Sequence, residues 1–446
     1  ALSAKERAQD LLGKMSLEEK MGQVNCLFPY GDHWDLLQKM AEHGIGEVST
    51  LEVRSIKSLE EAVQWQRKIQ KMVMDQSEHH IPAIFHMEGL CGPFIQDSTS
   101  FPSGIGRGST WDPELEEQVA QTVSRQELAC GITRVLAPVL DISRDSRMGR
   151  QGETYGEDPA LASAMGAAYT KGIQTGETGG RHAESAAKHF LGFHDSQGGI
   201  HGANCDIPDR LLDEVYGKPF QAAISESGLR GIMPCYCSIN GEPVSASHKI
   251  LTDLLRGEMG FDGVCVSDYG AVGNVHNVQH VGESVTDAGY LCMSAGMDVE
   301  LQICTGFNKE LKERFRSGEA DIRILDQAVL RVLEAKFRMG LFEHPFALDG
   351  EELKKEFYND KDREVSLKAA LESLVLLKND GALPLKKGIK KIAVVGCHAK
   401  NARSFFGGYT HLSMEEAVHA VANSIAGLKS GSVDGKKIPM VPGTQI

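Results

Sequence analysis

Between about residue 80 and residue 340, short apolar runs alternate with longer stretches whose apolar positions recur at helical spacing. PAIFHMEG (82–89), TRVLAPVLD (133–141), SAAKHF (185–190), GLRGIMPCYC (228–237), DGVCVSDYG (262–270) and GMDVELQ (296–302) read as strands. Between them, 112–131, 158–175, 209–227 and 247–260 read as amphipathic helices, with Asp112, Asp158 and Ser247 as N-caps. Strand and helix alternating at this period predict parallel β/α units. GIGEVSTL (44–51) adds a seventh strand, and no convincing eighth is visible. The length from residue 1 to about 345 favours a (β/α)8-like, TIM-type but irregular barrel, with an open doubly wound sheet as the alternative.

The pattern changes after the helix at 331–343. HPFALDGEELKKEFYNDKD (344–362) is polar, has no apolar period and reads as a linker; a helix over 363–379 and a strand KIAVVG (391–396) follow. The chain therefore divides into a barrel over 1–345, a linker and connecting helix over 346–388, and the N-terminal part of an α/β sandwich over 389–446. A further helix is predicted over 414–427, and its apolar face needs a sheet larger than these residues supply. The expected partner is the rest of that sandwich, in the same gene or a second chain; a homo-oligomer stays open.

Composition narrows the function classes. A formal net charge of −14 over 446 residues, with no Lys/Arg cluster, argues against nucleic acid. No run of eighteen apolar residues exists, so no membrane helix is predicted, and the first residues form a polar amphipathic helix rather than a signal sequence. The ten cysteines are scattered without a C-x-x-C. Cys235 and Cys237 alternate to opposite faces of a strand, so they are not expected to bridge. Free thiols favour a reducing, cytoplasmic compartment, which the sequence leaves otherwise open.

Candidate chemistry gathers at the strand ends. Glu88, Asp141, Arg150, Lys188, His189, Tyr236 and Asp268 stand at or just beyond the C-terminal ends of proposed strands, where barrel enzymes assemble their pockets. Each also has an ordinary reading. Asp268 alone suits a helix cap, Arg150 suits an ion pair with the acidic loop 151–159, Tyr236 suits core packing, and alternation sends Lys188 and His189 to different sides unless the strand has ended. His182, His194 and His201 with Asp195 fit no zinc spacing and read as solvated loop residues. Carboxylates, a guanidinium and an ammonium around one pocket suit a polyhydroxylated substrate. No P-loop, Rossmann or other cofactor fingerprint is convincing, GIGRG (104–108) lacking the strand it would need; no cofactor or metal is expected.

IPAIFHMEGLCG (81–92), TSFPSGIGRGSTWDPEL (99–115), LAPVLDISRDSRMGRQGETYGEDP (136–159), KHF (188–190), MPCYCSINGEP (233–243), GFDGVCVSDYG (260–270) and SLVLLKNDGALPL (373–385) resemble glycoside hydrolase family 3, the family of many β-glucosidases and β-xylosidases. The resemblance implies a (β/α)8-like barrel followed by an α/β sandwich, and an exo-acting retaining β-glycosidase acting on β-linked oligosaccharides or glycosides. It implies Asp268 as nucleophile and Glu88, Arg150, Lys188, His189, Met233 and Tyr236 around the non-reducing sugar. A β-glucosidase is the first expectation, a β-xylosidase the second, and a sugar-binding barrel without its acid/base the third. An aldolase-like barrel using Lys188 lacks the expected phosphate loops. Three departures stand out. Cys91 replaces a usual His, Glu88 replaces a usual Asp, and no acid/base is identifiable in this chain. His194 and Asp195 lack the spacing of the His–Asp dyad used in one branch of the family.

Overall fold

The computed structural model describes residues 2–29, 33–401 and 406–414, together with the paired backbone segments 432–433 and 436–437. Seven strands form one sheet in chain order: β1 (Cys26–Leu27), β2 (Glu47–Ser49), β3 (Ile84–Met87), β4 (Arg134–Val135), β5 (Glu184–Phe190), β6 (Gly231–Pro234) and β7 (Val264–Cys265). Every neighbouring pair is parallel. Beyond β7, Val266 bridges to Val299, Ser267 N–H donates to the Val299 carbonyl, and Glu300 N–H donates to the Val24 carbonyl just ahead of β1.

Both faces of the sheet are covered, which is why its strands read as nearly continuous apolar runs. Ile84, Leu136, Ala186, Met233, Val264, Val266 and Val299 gather in one interior cluster, whereas alternate residues such as Phe85, Val135, Ala187, Ile232 and Cys265 pack into the outer clusters. The inward set along β3 is thus Ile84, His86 and then Glu88; along β5 it is Glu184, Ala186 and Lys188. The expected caps form on helices Pro113–Ala129 and Pro159–Gln174, where Asp112 accepts from Leu115 N–H and Asp158 from Ala160 and Leu161 N–H. Ser247 Oγ accepts from Ile250 N–H at the head of Lys249–Glu258, a helix with wide, π-type turns.

The interior holds a charged layer that hydrophobic periodicity does not reveal. Arg134 approaches Glu47 at 3.3 Å and Glu184 at 3.7 Å; Glu184 also receives Arg338 at 3.0 Å, and Glu47 meets His86 Nδ1 at 3.0 Å. Lys336 points into the same layer and donates to Gln23 Oε1 at 2.5 Å. Burial pulls its ammonium down to about 7.

Several expectations are corrected. β1 lay outside the predicted set, and 296–302 contributes a bridge rather than a full strand. The stretch read as a linker contains the helix Gly350–Phe357, because Leu353 and Phe357 bury one face of an otherwise charged segment. The next helix runs Asp360–Glu372, short of the predicted 379. No strand forms over 391–396, where Val395 is 84% exposed, since no strand among the described residues pairs with it. The helix predicted over 414–427 lies outside the described residues, apart from Met414.

Candidate active site

Glu88, Lys188 and Asp268 enter the pocket as the last inward residues of their strands. Glu88 follows β3 and Lys188 ends the inward series of β5, and Lys188 Nζ donates to Glu88 Oε2 at 2.5 Å with both groups buried. Gly89 lets the chain turn away at once, because a Cβ there would lie 2.5 Å from Val135. Asp268 follows β7 and is 8% exposed; its Oδ1 accepts from Tyr269 N–H at 2.7 Å and its Oδ2 lies 3.7 Å from His189 Nε2.

Strict alternation would place His189 away from Lys188. The β5–β6 register slips between Lys188 and Phe190, so one extra residue is accommodated and both side chains reach the pocket. His189 Nδ1 lies 2.7 Å from Asp141 Oδ2, and Arg150 Nη2 lies 3.1 Å from His189 Nε2. A guanidinium can only donate. His189 is therefore neutral, with its proton on Nδ1 shared toward Asp141. Burial depresses the imidazole well below its usual value, and the Arg150 and Lys188 cations depress it further.

Arg150 both pairs with the acidic loop and reaches the pocket. Its Nε and Nη2 donate to Glu153 at 2.7 and 2.8 Å, its Nη1 lies 3.3 Å from His201 Nε2, and its carbon centre sits 5.1 Å from the Phe193 ring. Tyr236 donates to the Tyr269 carbonyl at 3.0 Å and stands beside Asp268. Met233 is buried in the interior cluster, in register with Lys188.

Burial raises Asp268 above its ordinary 3.8, opposed by Lys188, Tyr236, the Tyr269 N–H and Arg150. Burial raises Glu88 as well, opposed chiefly by Lys188. Asp268 and Glu88, with the carboxylates of Asp141 and Glu153 nearby, thus face the cations of Lys188 and Arg150, whose charges oppose the rise that burial imposes.

Three residues of this site were not among the candidate ligands, Glu153, His201 and Tyr409, and Asp141, named only as a strand-end group, serves His189. Tyr409 carries no periodicity signal at all. It comes from the segment 406–414, packs against Phe94 and lies 5.6 Å from Lys188 Nζ. His411 anchors that segment by an Nε2 contact of 2.9 Å with the Arg54 carbonyl. His194 is not a solvated loop residue; it is buried, with Nε2 3.9 Å from Asp141. Asp195 instead accepts from the Tyr216 hydroxyl at 2.9 Å. Cys91 is buried and its thiol is pushed up to about 11 by that burial. Among the described residues one group has metal-ligand proximity, Glu19, Glu78 and His79. Glu19 already accepts from Ser77 Oγ and His79 N–H, with His79 Nδ1 2.6 Å from its other oxygen, so it clasps that turn.

The sequence profile of the glycosyl hydrolase family 3 N terminal domain matches residues 16–335. The chain belongs to glycosyl hydrolase family 3. A β-xylosidase of Formosa agariphila is 36% identical over 372 residues, covering 77% of this chain and 51% of its own length. The periplasmic β-glucosidase of Salmonella typhimurium is 30% identical over 446 residues, covering 98% of this chain and 56% of its own. Among solved structures, the β-glucosidase of Listeria innocua in complex with glucose superposes with a TM-score of 0.76 at 30% identity, covering 85% of this chain and 53% of that one. A β-glucosidase from Erythrobacter marinus gives a TM-score of 0.81 at 30% identity, over 86% of this chain and 52% of its own. This family 3 chain therefore spans about half the length of the curated relatives it matches.

Proposed function

We propose that this family 3 chain carries the nucleophile half of an exo-acting retaining β-glycosidase, a β-glucosidase in the first instance. The observation that carries the reading is the position of Asp268: a buried carboxylate at a strand end, facing His189 across 3.7 Å, with Tyr236 and Arg150 beside it. In the proposed reaction, an Asp268 oxygen attacks the anomeric carbon as the bond to the leaving oxygen breaks, and water then cleaves the glycosyl–enzyme ester. Lys188 and Glu88 bind distal hydroxyls, one donating and one accepting. Arg150 and His189 hold the hydroxyl nearest the reacting carbon, and Met233 walls the pocket. The acid/base carboxylate, needed about 5 Å from the nucleophile, is supplied in this reading by polypeptide that completes the sandwich.

The finer architecture belongs to the same proposal. Residues 1–345 form an irregular (β/α)8-type barrel that the 299–300 segment closes against residue 24; 346–388 connect it to the start of a sandwich over 389–446. Support comes from the exposed apolar side chains over 374–395, with Leu377 93% exposed and Val394 73% exposed. Such side chains suit burial beneath a further sheet.

A panel of nitrophenyl β-glycosides tests the reading, with the glucoside expected to be cleaved fastest. Specific observations also favour the xyloside. Glu88 is longer than Asp by one methylene, which in this reading leaves less room for the C6 group of a hexose than for a pentose, and a β-xylosidase is among the relatives at 36% identity. Glu88→Asp is therefore expected to raise the glucoside-to-xyloside ratio of kcat/KM, by about tenfold if one methylene decides the fit. An unchanged ratio removes Glu88 as the selector. Because burial raises Asp268 above 3.8, its ionised form is lost as pH falls, and the acid limb of kcat/KM is expected above pH 3.8. A limb flat down to that pH contradicts the assignment.

A further inference from the structure

Arg150 has five N–H groups, and the structure uses four of them within the protein. Nε–H and one Nη2–H go to Glu153, the second Nη2–H goes to His189 Nε2, and one Nη1–H goes to His201 Nε2 at 3.3 Å. One Nη1–H remains for a ligand. Glu153 and His189 set the plane of the guanidinium, and His201, by taking one Nη1 hydrogen, steadies the direction of the other. The same imidazole packs on Tyr236 with ring centroids 4.8 Å apart and meets the edge of Phe193 at 5.2 Å. His201 thus touches both Arg150 and Tyr236, two of the residues beside the Asp268 carboxylate.

We propose that His201 is a positioning residue which, as a neutral imidazole, aims the last free N–H of Arg150 and the ring of Tyr236 at the bound sugar. The claim rests on the glycosidase reading only for the identity of the ligand. His201 itself follows a 3-10 turn beyond β5 and stands at the rim, so solvent protons reach it. Protonation puts an N–H where Nε2 must accept, and the contact with Arg150 is lost. The charged and titratable groups facing the ring are Arg150 and Glu153 from one loop, Tyr236 and Cys237 after β6, and Asp268 after β7. His189 and Phe193 lie behind them. Burial and the Arg150 charge hold His201 below its ordinary 6.5, so the neutral form prevails at neutral pH and is lost on acidification.

Two measurements test this. In the first, ¹⁵N-imidazole NMR of the unliganded protein follows His201 through pH 4 to 8, in the parent chain and in Arg150→Met. The expected result is an unprotonated Nε2 at neutral pH and a midpoint that moves up toward 6.5 when the guanidinium is removed. In the second, KM for the best nitrophenyl glycoside is followed over the same range. His201→Ala is expected to raise KM about five- to tenfold at neutral pH with a smaller effect on kcat, the scale of one ordinary net hydrogen bond. His201→Asn keeps an acceptor for Nη1 and does not titrate; it should recover most of that affinity and flatten the rise of KM below neutrality. A midpoint indifferent to Arg150→Met, or a KM profile identical in all three forms, overturns the proposal. The NMR arm needs no turnover, so failure of the glycosidase reading and failure of the Arg150–His201 pairing appear in different experiments.

Discussion

Asp268→Asn is expected to lower glycoside cleavage by about 10⁴-fold or more while leaving sugar binding within a few-fold of the parent chain. The substitution keeps shape and one acceptor oxygen, so the Tyr269 N–H that now donates to Oδ1 at 2.7 Å retains its partner. What disappears is the anionic oxygen that must form the bond to the anomeric carbon. An aryl leaving group does not rescue the variant, because leaving-group ability substitutes for an acid and not for a nucleophile. Affinity for the product sugar, read by calorimetry, separates loss of chemistry from loss of the pocket. Activity within tenfold of the parent on every glycoside tested removes Asp268 from its role.

The largest expected effect on stability lies away from the pocket, at Arg134. Its guanidinium stands between Glu47 and Glu184, 3.3 and 3.7 Å away, fully buried inside the sheet. Arg134→Ala leaves Glu47 in contact with the His86 ring and Glu184 paired with Arg338. Breaking a buried pair in this way costs about 3–5 kcal/mol, because a charge stays buried without full compensation. Urea denaturation should show that loss as a lower midpoint with an unchanged slope. Adding Glu47→Gln to Arg134→Ala should recover part of the loss, since the uncompensated charge goes with it. Equal midpoints for parent and single variant mean that the layer contributes nothing to stability.

The sequence carried the strand–helix alternation and the strand-end positions of Glu88 and Asp268, because both follow from burial at a period of two. It also carried the helix caps at Asp112 and Asp158, which depend on neighbours two or three residues away. What it did not carry is long-range. The charged layer of Glu47, Arg134 and Glu184 looks unremarkable locally, since each charge finds its partner on another strand. β1 is two residues long and has no periodicity to detect. His189 reaches the pocket only through the register slip of β5 against β6, which a single strand cannot announce. Tyr409 approaches Lys188 from more than two hundred residues away along the chain. Glu153 sat in view, but as an alternative to Arg150 binding a ligand; the structure lets Arg150 face both, which a choice between two readings excludes. The helix Gly350–Phe357 was hidden because two buried residues, Leu353 and Phe357, do not make a visible period in a charged stretch.

The central claim is that Asp268 forms the covalent bond to the sugar. Incubation with an activated 2-deoxy-2-fluoro-β-glucoside, whose fluorine slows breakdown of the ester more than its formation, followed by proteolysis and mass spectrometry, tests it most directly. The leaving group needs no proton, so the measurement does not depend on where the acid/base comes from. The account predicts one fluorosugar per chain, on the peptide containing VCVSDYG and fragmenting at Asp268, and none in Asp268→Asn. A label on any other carboxylate, or the same labelling in Asp268→Asn, contradicts it.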